Sequence, residues 1–292
     1  MIKLACIPAY NEEPSIADVV SKTIPHVDKV IVCDDGSTDR TAEIAKKSGA
    51  DVISHKKNLG YGAAITTLFE RARQENAQIM ITLDGDGQHN PDQIPLLVDT
   101  ITQHNVDVVI GSRFLDKKSS SPRYRGIGIK VITSATNFGT NFKVTDSQSG
   151  FRAYSKDAID AIHPTEQGMS VSTEILLKIS NKGLSLAEVP VSVSYDGDTS
   201  EQSPVPHGVS VLMNTLKFVS VKHPIPFYGF PGIALFIAGL VIGGIFLDAY
   251  LNEQTVFFGS LLVTIVLFLL GAILIATSII LYSMATLMKD RQ

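Results

Sequence analysis

Along its first hundred residues the chain alternates short β-branched and aliphatic runs with longer stretches whose apolar positions recur at helical spacing. The runs at 2–7, 29–33, 51–54, 79–83 and 106–110 predict strands, and the stretches at 15–22, 38–48, 61–75 and 92–103 predict helices. Strands separated by helices form βαβ units, so the expected class is α/β, with a mostly parallel sheet covered on both faces. Ligands of such sheets gather at the carboxyl ends of the strands. Each polar cluster in this region directly follows a strand.

The alternation breaks at residues 111–125, GSRFLDKKSSSPRYR, whose charges, serines and proline predict an exposed loop. Beyond it, 126–142 (Ile127, Val131, Ile132, Ala135, Phe138) and 209–221 (Leu212, Leu216, Phe218, Val219) carry apolar residues at helical spacing. Such helices either face a core or lie on a membrane surface.

Residues 224–247 and 255–288 contain no charged side chain. Each run exceeds the roughly 20 apolar residues that a spanning helix needs. The expected organisation is a catalytic domain at 1–206, an interfacial juxtamembrane helix at 207–223 and a two-helix transmembrane hairpin at 224–292. Lys217 and Lys222 precede the first run, Lys289 and Arg291 follow the second, and the connecting segment 248–254 carries only acids. Positive charge favours the cytosolic side, so the catalytic domain and the C-terminus are expected in the cytosol and the short acidic loop outside. Residues 1–10 read as a strand rather than an export signal, which agrees.

Composition narrows the picture further. Residues 224–292 hold only five charged residues of the chain's 25 basic and 29 acidic ones, which excludes one uniform soluble globule. A net charge of −4 argues against a nucleic-acid partner. Cys6 and Cys33 sit in β-like runs and read as small buried hydrophobes of a reducing compartment.

The most informative cluster is Asp84-Gly85-Asp86-Gly87-Gln88-His89, at the end of an apolar strand. Two carboxylates one residue apart are costly there unless a cation meets them. A divalent Mg²⁺ or Mn²⁺ bridging to a diphosphate suits hard oxygen ligands, and Gln88 can add a neutral oxygen. His89 is either a ligand or a hydrogen-bonding neighbour. Pro8-Ala9-Tyr10-Asn11-Glu12 and Asp34-Asp35-Gly36-Ser37-Thr38-Asp39 follow the first two strands, where carboxylates and amides can bond a base and ribose. Thr38 could equally cap a helix, and Asp35-Gly36 could be a plain turn. Asn58-Leu59-Gly60-Tyr61-Gly62-Ala63 lets backbone approach closely at a helix start. Ile65 occupies the third-glycine position, so this is no dinucleotide fingerprint.

Taken together, PAYNE, DDGSTD, NLGYGAA, DGDGQH, GSR and SGFR resemble the family 2 glycosyltransferases of GT-A fold, and within them the dolichyl-phosphate or polyprenyl-phosphate hexose synthases. The resemblance covers about residues 1–195. It implies that Pro8, Tyr10, Glu12, Asp35, Asp39, Asn58, Gly60 and Asp84 hold a nucleotide sugar, and that Asp84, Asp86 and Gln88 hold the metal and donor diphosphate. It further implies that Arg113 and Arg152 gather phosphates near the acceptor, and that Asp146 lies near a catalytic position. Arg123 and Arg125 could join them at the acceptor phosphate, or could equally face solvent or lipid headgroups. The family's R-x-x-G-x-S-K element is replaced here by Tyr195-Asp196-Gly197-Asp198-Thr199-Ser200-Glu201, without its basic residues. A Y…S…P…HG pattern through Tyr195, Ser200, Pro206, His207 and Gly208 stands instead.

The implied reaction moves a hexose from GDP-mannose, UDP-glucose or UDP-N-acetylglucosamine to dolichyl or polyprenyl phosphate, with inversion. A lipid monophosphate is already anionic near neutral pH and needs no strong general base, whereas the departing diphosphate needs charge stabilisation. Guanidinium groups would relieve repulsion between the two anionic substrates. The alternatives are a tethered transferase acting on a glycan or protein, and a non-catalytic scaffold with a vestigial sugar-nucleotide fold. A processive polysaccharide synthase is excluded, because its Q-x-x-R-W element needs a tryptophan and the chain has none.

Overall fold

The structure, a computed structural model, describes residues 1–115, 123–194, 204–253 and 258–289. It divides into two compact units, Met1–Thr215 and Leu216–Gln292.

The first unit is built on a seven-stranded sheet: β1 (Lys3–Ala9), β2 (Lys29–Asp34), β3 (Asp51–Ser54), β4 (Ile79–Thr82), β5 (Val108–Ser112), β6 (Arg152–Ser155) and β7 (Leu186–Pro190), in the order β3-β2-β1-β4-β6-β5-β7. All neighbours are parallel except β6, which runs antiparallel between β4 and β5. The helices are α1 (Ile16–Thr23), α2 (Thr41–Lys47), α3 (Tyr61–Gln74), α4 (Ile94–His104), α5 (Arg123–Gly139), α6 (Lys156–Ala161) and α7 (Val171–Lys182). The mostly parallel α/β sheet is thus as expected, with one reversed strand.

Strand alternation sends successive side chains to opposite faces, each with its own core. Leu4, Cys6, Ile31 and Met80 pack with Leu68 and Phe69 of α3 and with Ile175, Leu176 and Ile179 of α7. Ala5, Ile7, Val32 and Ile81 pack on the other side with Ile16 and Val20 of α1 and with Ile94 and Leu97 of α4. The strands read as near-continuous apolar runs because both faces are buried.

The reversal of β6 matters for the site. The amino end of an antiparallel strand lies at the same edge as the carboxyl ends of its parallel neighbours. Residues 145–151, which precede β6, therefore join the loops that follow β1, β2 and β4. Two local expectations are revised. Gly111 and Ser112 belong to β5 and are buried rather than opening a loop, and α5 begins at Arg123. The inner face of α5 is also more polar than an ordinary core helix: Thr133 and Thr136 are buried there, and Thr133 Oγ1 lies 2.9 Å from Ser147 Oγ.

Helix α8 (Pro204–Lys222) carries the boundary between the units. In the second unit α9 (Phe230–Glu253) and α10 (Phe258–Lys289) form an antiparallel pair. They touch through small residues. A Cβ on Gly232 would lie 3.0 Å from the Gly271 carbonyl, and one on Gly271 would lie 2.9 Å from the Gly232 carbonyl. Phe236 and Phe268 meet edge-on with centroids 4.8 Å apart. Outward-facing Leu240, Ile245, Leu251, Leu262, Leu269 and Ile273 are all exposed. Segments Ile225–Asn252 and Phe258–Met284 are each long and apolar enough to cross a membrane.

Candidate active site

Four loops converge at the carboxyl edge of the sheet. The loops after β1 and β2 are zipped together: Asn11 takes φ +55°, its Oδ1 accepts from Thr38 N at 2.9 Å, and Glu12 N donates to Thr41 Oγ1 at 2.8 Å. The third loop follows β4. Ser15 Oγ donates to the Gly85 carbonyl at 2.7 Å, and Gln88 N donates to Asp86 Oδ1 at 2.9 Å. From the far side the segment before β6 presses in, with Thr82 Oγ1 donating to the Gly150 carbonyl at 2.8 Å.

Three acids face one another here. Glu12 is pushed up to about 7, first by burial and then by the charge of Asp86, while Ser15 works against the shift. Asp86 is raised by burial and by Asp84. Asp84 is instead held below the usual carboxylate range: burial raises it, but contact with His89, the Tyr61 hydroxyl and the charge of Arg113 outweigh that. Tyr61 donates to Asp84 Oδ1 at 3.1 Å, and His89 Nε2 lies 3.5 Å from Asp84 Oδ2. His89 is buried, its ring tilted against Phe151, and among the described residues its Nδ1 has no hydrogen-bond partner.

This surplus of negative charge fits a divalent cation. Among the described residues no three His, Cys, Asp or Glu side chains are arranged to enclose a metal on their own. One or two carboxylates completed by substrate phosphates is the usual way a hard cation joins a nucleotide. Asp84 and Asp86 are the two that would hold it, and Gln88 stands half-buried beside them.

The match to known proteins decides the family. The glycosyl transferase family 2 model matches residues 5–162, more than half the chain. The chain belongs to glycosyl transferase family 2. A relative from Methanococcus voltae, named UDP-N-acetylglucosamine–dolichyl-phosphate N-acetylglucosaminyltransferase, is 33% identical over 211 residues, covering 65% of this chain and 84% of that protein. A dolichyl-phosphate hexose transferase of Haloferax volcanii is 29% identical over 214 residues, covering 71% and 90%. Among solved structures, Mycobacterium tuberculosis glucosyl-3-phosphoglycerate synthase, with Mn²⁺, UDP and glucosyl-3-phosphoglycerate, superposes with a TM-score of 0.58 at 21% identity, covering 76% of this chain and 79% of that one. That likeness shows the GT-A fold.

Within this family 2 transferase the remaining motif residues divide into surface groups and structural ones. Tyr10 is 39% exposed at the mouth of the site, Asn58 is exposed, and Pro8 is buried inside β1. Asp39 is taken up internally, accepting from Thr41 N at 2.9 Å and Glu13 N at 3.2 Å. Asp35 is 3% exposed and accepts from Leu59 N at 2.9 Å and Gly60 N at 2.8 Å. The close approach at Gly60-Tyr61-Gly62 is made by the chain itself. Gly62 N donates to the Gln167 carbonyl at 2.7 Å, and a Cβ on Gly62 would lie 2.0 Å from the Glu166 carbonyl.

Arg152 is buried and bonded to backbone. Its side chain is 2% exposed, and its guanidinium donates to the carbonyls of Ser149 (2.8 Å), Ser147 (2.9 Å) and Ser172 (3.3 Å). Through these contacts it braces the loop that carries Gly150 beside Asp84. Arg113 forms a two-pronged pair with fully buried Asp146, Nε to Oδ2 at 2.6 Å and Nη2 to Oδ1 at 2.8 Å. Glu188 of β7 holds the same loop, accepting from Thr145 N and Asp146 N. Arg123 and Arg125 fall in the first turn of α5, with their side chains outside the described residues. Tyr195, Gly197 and Ser200 lie outside the described residues altogether, and Pro206, His207 and Gly208 fall in α8, the side chains of Pro206 and His207 lying outside the described residues.

The motifs did not single out Tyr61, Ser15, Gly150 or His55. Tyr61 and Gly150 lie inside quoted motifs, so their presence was visible. Their contact with Asp84 depends on tertiary structure.

Proposed function

We propose that this family 2 transferase moves a hexose from a nucleoside-diphosphate sugar to dolichyl or polyprenyl phosphate at a membrane surface. The observation that carries the reading is the crowding of Glu12, Asp84 and Asp86 at the carboxyl edge of the sheet, in a chain whose last two helices turn an apolar surface outward. Exposed apolar area of that extent suits lipid. Named relatives acting on dolichyl phosphate support the acceptor class. The bias of Lys217, Lys222, Lys289 and Arg291 supports a cytosolic catalytic domain and C-terminus, with the acidic connection outside.

In this reading Asp84 and Asp86 would hold Mg²⁺ or Mn²⁺, which would supply Lewis-acid stabilisation to the departing diphosphate. In the same reading Glu12 and Tyr10, which is exposed, would contact the nucleoside. An oxygen of the lipid phosphate attacks the anomeric carbon from the face opposite the diphosphate. The new C–O bond forms as the bond to the β-phosphate oxygen breaks, and the nucleoside diphosphate leaves with the electron pair. The acceptor is already an anion, so no base must take its proton. Tyr61 and His89 fix how Asp84 presents its oxygens.

The test is to incubate membranes containing the full chain with radiolabelled GDP-mannose, UDP-glucose or UDP-N-acetylglucosamine, dolichyl phosphate and Mn²⁺ or Mg²⁺, then extract lipid. Label in the lipid phase from one donor is the expected result. Label passing instead to protein or glycan overturns the lipid-phosphate reading, and no metal-dependent turnover of any donor overturns the enzymatic one.

A further inference from the structure

His55 follows the edge strand β3, and its side chain is 11% exposed. Its Nδ1 lies 2.6 Å from Asp35 Oδ1, while Nε2 lies 3.0 Å from Thr67 Oγ1 and 3.6 Å from Cys33 Sγ. An ionised carboxylate only accepts, so Nδ1 carries the proton that bridges to Asp35. One imidazole therefore ties the end of β2 to α3.

Cysteine, histidine and aspartate in this order could be read as a nucleophilic triad, but Cys33 is wholly buried. Burial, and then the charge of Asp35, push its thiol to about 12, far from the thiolate such chemistry requires. The cluster acts through geometry. Asp35, held by His55, accepts the backbone N–H groups of Leu59 and Gly60. Gly60 takes φ +99°, a turn that swings the chain into α3. The next residue is Tyr61, whose hydroxyl occupies Asp84 Oδ1.

We propose that His55 is a positioning residue for the donor site: through Asp35 it sets the turn that aims Tyr61 at Asp84, and so fixes how Asp84 meets a divalent cation. The inference rests on the donor-site reading above. It predicts an unequal response to substitutions, because asparagine can mimic Nδ1 of histidine whereas glutamine reaches towards Nε2.

The experiment uses the purified full chain in detergent, with Mn²⁺ binding in the presence of UDP followed by electron paramagnetic resonance of free Mn²⁺, alongside transfer kinetics. His55→Ala should weaken Mn²⁺ binding by about tenfold or more, the size found when partners behind metal ligands are lost, while kcat at saturating metal and donor changes far less. His55→Asn should restore most of the binding and His55→Gln should not. Tyr61→Phe should match His55→Ala, and the double variant should be no worse than either single one, since both act through one contact. Mn²⁺ binding unchanged in both His55→Ala and His55→Gln, or equal rescue by Asn and Gln, overturns the inference. So does full additivity with Tyr61→Phe. Should His55→Ala fail to fold, the Asn–Gln comparison and Tyr61→Phe decide it. A wild-type chain that binds no Mn²⁺ with UDP overturns the donor-site reading itself, a separate result from wild-type binding that the variants leave unaltered.

Discussion

Gly150 stands so close to Asp84 that a Cβ on it would lie 2.4 Å from Oδ2 and 2.6 Å from Oδ1. The carboxylate is thereby confined between the turn before β6 and the Tyr61 hydroxyl. Gly150→Ala should displace it, lowering transfer by about a hundredfold, the order seen when one preorganised group is removed. Overpacking should cost about 1–3 kcal/mol of stability. Transfer assays beside urea unfolding check both. Wild-type turnover in Gly150→Ala would mean that Asp84's position is not critical.

Asp86→Asn should abolish most transfer while raising the thermal midpoint of the metal-free chain near pH 7.5. The substitution removes one of the mutually repelling charges that raise Glu12 and Asp86. Sites built to meet a ligand's charge commonly trade stability for function. Differential scanning fluorimetry with and without Mn²⁺ reads the second effect. A lowered midpoint would contradict the electrostatic account.

The pH dependence follows from Glu12, raised from 4.5 to about 7. Between those values the folded state keeps a proton that the unfolded state releases, so this group's effect is to lower stability as pH rises through the window. The wild type should therefore lose more stability than Glu12→Gln between pH 5 and pH 7.5. Mn²⁺ with UDP should offset part of that loss at pH 7.5. Parallel curves for the two proteins would remove Glu12 from the site's charge balance.

Arg152→Ala should leave three carbonyls without their donor and destabilise the chain by about 3 kcal/mol or more. Arg152→Lys should recover little, since one ammonium cannot span all three. Urea midpoints and acceptor titration separate the possibilities. An unchanged midpoint with weakened acceptor use would return Arg152 to the acceptor site.

Orientation can be tested with single reporter cysteines, because Cys6 and Cys33 are buried and give little background. Asn252→Cys should label from outside sealed cells, and Asp290→Cys only after permeabilisation. Labelling of both from one side would overturn the proposed hairpin orientation.

Five strands and their helices were legible because 2–7 or 79–83 are apolar runs of the right length between turn residues. Strand β6 was not, since Arg152-Ala153-Tyr154-Ser155 reads as polar until Arg152 is seen spending its donors on backbone carbonyls. Asp84 and Asp86 stood out as carboxylates one residue apart at a strand end, but the setting of Glu12 against them depends on tertiary structure. Asp35 was expected to hold the nucleotide; its role as a brace was not legible, because its partners Leu59 and Gly60 come from a loop after another strand. Likewise the glycines at 60 and 62 signalled a close approach without saying that Glu166 and Gln167 make it.

The reversed strand also bears on how a growing chain acquires this shape. Ile79–Thr82 of β4 is wholly buried, and its open side is closed by β6. The intervening β5 cannot stand in, because its partners are β6 and β7. A nascent polypeptide halted after β4 but before β6 therefore lacks the partner for an apolar edge, the kind of surface that invites aggregation. Closing it needs a pairing distant in sequence, which is slow. The middle of the sheet can thus close only after β6 has been made, long after its parallel neighbours β1, β2 and β3 are available to pair.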